Sequence, residues 1–485
     1  MLLSAFFGCK KKEEAPADET TAANDTVVTT EPEDTTPQGH VDKFEVPEIN
    51  YGGKTFFIAA RNYGEYQEDL AAHIEELDAK TTSIDRATFL RNKKVSEEFG
   101  VNFEFVLDTD ENLISAVNNV STSGDLFCHL YVNHGRYVFG HVINNLAADW
   151  NTMTHVNLDN SWWTQSVKTN WATPNGKIFA VMGDLSYMSV GNMGGIFYNK
   201  TMFKNAVGLK TPYDHIKEGT WTYANFKKTI MDLDATLDGD GSGDIATDKF
   251  AYGTQQWRGP QVIIPSTGKN YLELNKAIGK YTIGIDDERV EGAVSDYIKL
   301  LQDPVTYYTT RGISVNGDLR DAFADGRIGM MEDNLKCAAE FAGDGVNFGI
   351  VPNYKYDDLV DGYPACIGSG TNTFMVLNAA TQEQRDMISV ICEAMAYYGQ
   401  KDVISVYYDT ILKYQAMRDA KDLEMLIAIH DSAVVQLIDY AAFGKLGDIV
   451  MLVKNGEHSS FTTALDALVG PTMMDLDKWY ALDLQ

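Results

Sequence analysis

The sequence predicts a two-lobed α/β protein carried on an acidic N-terminal stalk. Three observations predict it. Strand and helix patterns alternate from residue 54 to 132, which is the rhythm of a parallel sheet with crossover helices. The same rhythm restarts near residue 177. The chain is 485 residues long with 44% hydrophobic residues, enough for two sizeable cores.

The first elements follow from local pattern. Lys54–Ala60 is an apolar run behind a Gly-Gly turn and reads as a buried strand, with 61–66 as its exit loop. Residues 88–99 carry Phe89, Leu90, Val95 and Phe99 at helical spacing, and Gly100 is the expected C-cap. Residues 101–106 alternate as a second strand, 111–120 read as a helix and 124–132 as a third strand. Further on, 177–181, 195–198, 348–351 and 373–377 read as strands. Helical patterns cover 221–232, 290–302, 319–325 and 382–398, and the stretch from about 402 to 440 is largely helical.

Charge and cysteine usage narrow the function classes. Forty basic against 69 acidic side chains give a net charge of −29. That balance opposes binding to nucleic acid, which needs clustered Lys and Arg, and opposes docking on an anionic membrane surface. Cys128, Cys337, Cys366 and Cys392 are scattered and read as small buried hydrophobes, with no CxxC among the five cysteines. The fifth, Cys9, directly follows the apolar run Leu2–Phe7 and Gly8, like the end of a bacterial lipoprotein signal peptide that lacks its basic start. Residues 1–9 are therefore expected to be a truncated signal with Cys9 as the lipidated residue. Residues 10–43 hold no aromatic residue, seven Thr, three Pro and nine acidic against four basic side chains. Such a segment cannot bury enough apolar surface to offset its ordering entropy, and reads as a disordered stalk.

Enzyme signatures are missing from the sequence. It has no HExxH, GxSxG, GxxxxGK[ST] or GxGxxG, and its nine His lack metal-ligand spacing. No catalytic residue is assigned and a non-enzyme is expected. One cation motif stands out: Asp238, Asp240, Ser242, Asp244 and Asp248, with Gly243 at the turn. Alternate oxygen side chains around a glycine suit a hard cation such as calcium. Lys249 stands where a complete EF-hand loop has its bidentate Glu, so an acidic surface turn is the competing reading. No cofactor is required, and a structural calcium is the one candidate.

Aromatic residues next to polar ones point as a group to carbohydrate, although each of them taken singly reads first as core packing. Tyr131, Asn133, His134 and Arg136 form one such group, and Tyr187, Trp257 and Trp162–Trp163 are others. A ring covers the apolar face of a sugar while neighbouring polar groups bond its hydroxyls.

The stretches 158–163, 194–200, 219–226, 238–253, 323–330, 348–352 and 407–413 with 418–419 resemble, in order and spacing, the extracellular solute-binding proteins of bacterial carbohydrate ABC transporters (family 1-like, lipoprotein type). The resemblance runs from about Lys54 to Tyr440. It implies a type 2 periplasmic-binding-protein fold with an interlobe cleft. By similarity, lobe 1 is 44–176 plus 329–377 and lobe 2 is 177–328 plus 378–485. The ligand-binding residues it implies are Arg61, Asn62, Tyr131, Asn133, His134, Arg136, Tyr187, Trp257, Glu332 and Asn334. Relatives often carry a Trp after the segment matching Met330–Met331, and this chain has none there. Trp162–Trp163 matches a family motif, with packing near the crossover as an equal reading. The expected role is capture of a sugar or oligosaccharide by a monomer, lipid-anchored to the bacterial cell membrane on its extracytoplasmic side. Delivery would be to the permease subunits of an ABC transporter. The alternatives are a glycan-active surface enzyme and a ligand-presenting sensor lipoprotein of the same fold.

Overall fold

Lys54–Arg61 is β1, Val101–Asp108 is β2 and Leu130–His134 is β3, all parallel; Asn372–Met375, β12, adds antiparallel to β3. The first sheet thus runs β12-β3-β1-β2. These strands come from a computed structural model that describes residues 41–484 apart from 64–68, 73, 235–242, 310–317 and 415–419. Residues 1–40 lie outside the described part, and Cys9 and most of the expected stalk with them.

The connecting helices are set by their caps. The helix Ser83–Phe99 begins at Thr82, whose hydroxyl accepts the N–H of Asp85, and ends at Gly100 with φ of 61°. It starts five residues before the expected 88, because the cap lies outside the apolar stripe. A side chain at Gly100 would collide with Asn50 as well as strain the left-handed backbone. The helix Asp110–Ser123 is closed by Thr109 and Gly124 in the same way. The expected strand 124–132 forms only from Leu130. Just before it, the ring Nδ1 of His129 takes the N–H of Phe57 at 3.0 Å, so a side chain completes the ladder there.

The second sheet has five strands in the order β10-β4-β9-β5-β8. These are Gly194–Asn199 (β4), Phe250–Gln255 (β5), Thr306–Thr309 (β8), Ile328–Asn334 (β9) and Phe348–Val351 (β10). β5 is parallel to β8 and β9, while β4 is antiparallel to β9 and β10. Two ribbons complete the strands: Leu272–Asn275 (β6) with Lys280–Ile283 (β7), and Ala365–Cys366 (β11) with Ala433–Val434 (β13).

Three stretches cross between the sheets side by side. Val181 bridges Phe374, Met193 bridges Ile367, and β11 lies parallel to β13. The expected strand 177–181 is part of this crossing rather than of either sheet.

Sheet membership departs from the expected division of the lobes. β9 and β10 lie in the second sheet, although the expected lobe 1 includes 329–377. The helix Gln382–Tyr398, expected in lobe 2, packs against the helix Ser83–Phe99 of the first. A chain that crosses three times offers no local signal of which sheet a strand joins. The stalk boundary at 43 also moves. Asp42 binds the N–H of Ser161 at 2.8 Å, and Lys43 exchanges main-chain bonds with the Asn160 carboxamide at 3.1 Å each way. Phe44 stacks on Tyr397 at 4.1 Å.

Trp162 and Trp163 are buried, and both indole N–H groups donate to the Glu393 carboxylate at 3.0 and 2.8 Å. Asn160 and the N–H of Asn157 donate to the same group. The Trp pair thus clamps the 157–163 loop onto the helix Gln382–Tyr398, which is the packing reading. The four described cysteines are buried and unpaired by disulfides. No helix among the described residues is long and apolar enough to cross a membrane.

Candidate functional site

In parallel strands the side chains that follow the C-terminal ends are free to build a site, because the loops there leave the sheet together. β1 and β3 are parallel with Ala60 opposite Val132, so Arg61, Asn62 and His134 emerge at one end of the first sheet. In the second sheet β5 and β9 are parallel with Gly253 opposite Met331, so Gln255, Trp257 and Asn334 emerge together. Both ends meet the crossing segments. The N–H of Gly135 donates to the carbonyl of Ser369, and that of Leu335 to the carbonyl of Met193. This juxtaposition is the interlobe cleft.

The first-sheet edge is charged. Arg61 pairs with Asp110 at 3.0 Å, and its guanidinium lies 4.8 Å from the centre of the Tyr63 ring. His134 caps the helix Gly135–Ile143, with Nδ1 accepting the N–H of Arg136 at 3.2 Å. Burial, then the positive charges of Arg61 and Arg136, push its pKa down to about 4. The ring is therefore neutral at pH 7, with its proton on Nε2. Arg136 reaches across to the C-terminal segment. Its Nε donates to the carbonyl of Asp439 at 3.3 Å, and Nη2 lies 3.5 Å from Asp448 Oδ1. Gly135 makes room for this contact: a methyl there would meet the Tyr440 ring at 2.1 Å.

The second-sheet edge is neutral. Trp257 is 55% exposed directly after β5, and Gln255 and Gln256 precede it. Asn334 is half-buried; its Oδ1 has no hydrogen-bond partner among the described residues. The strand end beneath it is held by a bidentate pair between Arg320 and Asp333, with Nε to Oδ2 at 2.8 Å.

Of the ten sequence-predicted ligand residues, Arg61, Asn62, His134, Arg136, Trp257 and Asn334 gather at these edges. Four depart from that expectation. Tyr131 and Asn133 are fully buried and bond one another, Nδ2 to OH at 3.0 Å. Glu332 is buried inside the second sheet, where Tyr252 and Thr254 donate to Oε2 at 2.6 and 3.0 Å. Burial raises its pKa. Tyr187 lies in the crossing segment, half-buried, with its ring 5.6 Å from that of Tyr407. The reason is shared. Helices and crossings cover these strands, so alternation in the sequence does not separate inward from cleft-facing residues. Sequence reasoning missed Tyr63, which is 53% exposed, together with Asp110, Asp439 and Asp448. Tyr63 was readable from the Arg-Asn-Tyr order after β1. The aspartates had no local signal, since Asp439 and Asp448 arrive from about 300 residues away.

The expected cation loop is only partly visible. Asp238, Asp240 and Ser242 lie outside the described residues. Asp248 Oδ2 accepts the N–H groups of Gly243 and Asp244, and Asp244 Oδ1 accepts that of Ala246 at 2.9 Å. No metal-holding group of three or more His, Cys, Asp or Glu occurs among the described residues.

No protein-family model and no curated protein matches the chain. Solved structures do. The GacH receptor of Streptomyces glaucescens, known unliganded and with acarbose, aligns at 14% identity and a TM-score of 0.56, over 88% of this chain and 99% of that one. The maltose/maltodextrin-binding domain MalE of Bdellovibrio bacteriovorus, bound to maltotriose, aligns at 12% and 0.55, over 87% and 100%. UgpB of Mycobacterium tuberculosis, in complex with glycerophosphocholine, aligns at 12% and 0.55, over 88% and 99%. These neighbours are binding proteins. With its two sheets, its three crossings and the cleft between them, the chain has the periplasmic-binding-protein fold.

Proposed function

We propose that this protein is a solute receptor that captures a sugar or oligosaccharide outside the cytoplasmic membrane and delivers it to the permease of an ABC transporter. The observation that carries this reading is the meeting of two unlike edges across the cleft. The first offers hydrogen-bonding and charged groups at Arg61, Asn62, His134 and Arg136; the second offers the exposed Trp257 ring with Gln256 and Asn334. A pyranose needs both, a flat apolar surface for its C–H face and polar partners for its hydroxyls. Binding works without covalent chemistry: the ligand favours the arrangement in which both edges touch it, and that preference draws the lobes together.

Two further features belong to this reading. Cys9 carries the lipid, so that the receptor acts as a tethered monomer on the outer side of the cell membrane. The 238–248 loop takes a structural calcium, with Asp244 and Asp248 already ordering its described half. The test is calorimetry against a panel containing maltose, maltotriose, acarbose and glycerophosphocholine, run with and without calcium. Saturable binding of a saccharide is expected. A panel in which only glycerophosphocholine binds would move the role to a polar non-sugar solute. Product release from any glycan would replace the receptor by an enzyme. A thermal shift with calcium alone is expected from the loop, and its absence removes the calcium site.

A further inference from the structure

The residue after the exposed Trp257 does the opposite of its neighbour. Arg258 turns its guanidinium inward, where it is buried. It does not settle on a carboxylate. Nη2 donates to the carbonyl of Asn192 at 3.3 Å, and Nη1 to the carbonyl of Cys366 at 3.3 Å and to Gln261 Oε1 at 3.2 Å. Asn192 and Cys366 belong to two different crossing segments, the ones bridged by Met193 and Ile367. The fit is close on both sides. A methyl on Gly194 would come within 3.3 Å of Nη1, and one on Gly368 within 3.3 Å of Nη2. The guanidinium therefore sits wedged between two crossing segments, against Gly194 where the first of them enters β4 and Gly368 on the other.

A buried cation bound to main-chain carbonyls is sensitive to how those carbonyls point. Lobe rotation must be absorbed by backbone changes in the crossing segments, so it re-aims the two carbonyls. The same side chain is joined through one Cα–Cα step to the ring that would meet a ligand.

We propose that Arg258 is a positioning residue that ties the Trp257 loop to the interlobe hinge, so that movement of one is felt by the other. The part concerning ligand rests on the solute-capture reading; the part concerning the hinge does not.

The test uses the full-length chain with Cys9→Ser and spin labels at Glu97→Cys and Lys228→Cys, one on each lobe, to read the interlobe distance distribution without ligand. Arg258→Met is expected to broaden or shift that distribution by about 5 Å or more, and Arg258→Lys, which keeps the charge but not the planar fork, by less. Gln261→Ala, which leaves both carbonyl bonds in place, should not change it. A purely structural role for Arg258 would lower the melting temperature and leave the distribution as in the parent, and that result overturns the proposal. If Arg258→Met fails to fold, Gly368→Ala presses a methyl on the guanidinium and is read in the same way. The ligand arm titrates maltotriose: a parent that binds it should lose roughly tenfold or more in affinity in Arg258→Met with Trp257 untouched. An unchanged affinity overturns the coupling to ligand. A parent that binds no member of the panel sinks the solute-capture reading, while the label distances still decide the hinge.

Discussion

The two lobes keep their buried glutamates in different ways, and their cleft edges differ too. In the first lobe Glu393 accepts bonds from two indoles, a carboxamide and a main-chain N–H, so both oxygens are served. In the second lobe Glu332 has Oε2 bonded twice and Oε1 without a partner among the described residues. At the cleft the first lobe presents charges already tied to one another, as Arg61 is to Asp110 and Arg136 to Asp448. The second lobe presents neutral groups, with Trp257 exposed and Asn334 Oδ1 buried without a hydrogen-bond partner among the described residues. The contrast teaches that the two edges differ in charge rather than in how completely their bonds are made: Asp110 Oδ1 on the first and Asn334 Oδ1 on the second are both buried without a hydrogen-bond partner among the described residues.

The largest expected effect breaks the comparison at its firmest point. Glu393→Ala strands four donors at once and should cost about 4 kcal/mol in urea unfolding. Glu332→Gln preserves the acceptor for Tyr252 and Thr254 and should stay within about 1 kcal/mol. Equal losses would mean the two sites are not different in kind. Next in size is Trp257→Ala. It should weaken saccharide binding by roughly a hundredfold, about 2.7 kcal/mol, with little change in melting temperature because the ring is half out in solvent.

A smaller effect is a pH slope. Burial raises Asp69 to about 6, Asp184 to about 7 and Asp439 to about 7. Asp69 and Asp184 sit against the crossing segments, bonded to Ser186 and Ser189. Between pH 4 and 7 these carboxyls hold protons in the folded state that the unfolded state has released, so each contributes stability that is lost as pH rises, while the lowered pKa values of His134 and His141 act in the opposite direction. The difference between parent and variant isolates one group: thermal melts should show Asp184→Asn gaining on the parent as pH rises from 4 to 7. Parallel profiles for the two would contradict the raised pKa of Asp184. The smallest effect is expected from Arg61→Gln, at about fivefold in ligand affinity, because Asp110 already takes much of its charge. A loss as large as that of Trp257→Ala would reverse the roles of the two edges.

Much of this frame was legible where local signals coincide. The helix Gln382–Tyr398 was read to the residue because Thr381 and Gln384 form a reciprocal cap ahead of a clear apolar stripe. Arg61 and His134 were legible as strand-end residues because each closes an apolar strand run. Glu332 and Asn133 were misplaced because strands covered on both faces are apolar and polar without regular alternation. Arg258 gave no signal at all. Its partners, Asn192 and Cys366, are 66 and 108 residues away in sequence, and only the folded chain brings them to one guanidinium.

The central claim is capture with closure, and small-angle scattering during a maltotriose titration, repeated with the other saccharides of the panel, tests it most directly. The account predicts that one saccharide reduces the radius of gyration by about 1 Å in a saturable way that Trp257→Ala abolishes. A folded protein whose scattering is unchanged by every saccharide, with no heat of binding, would contradict it.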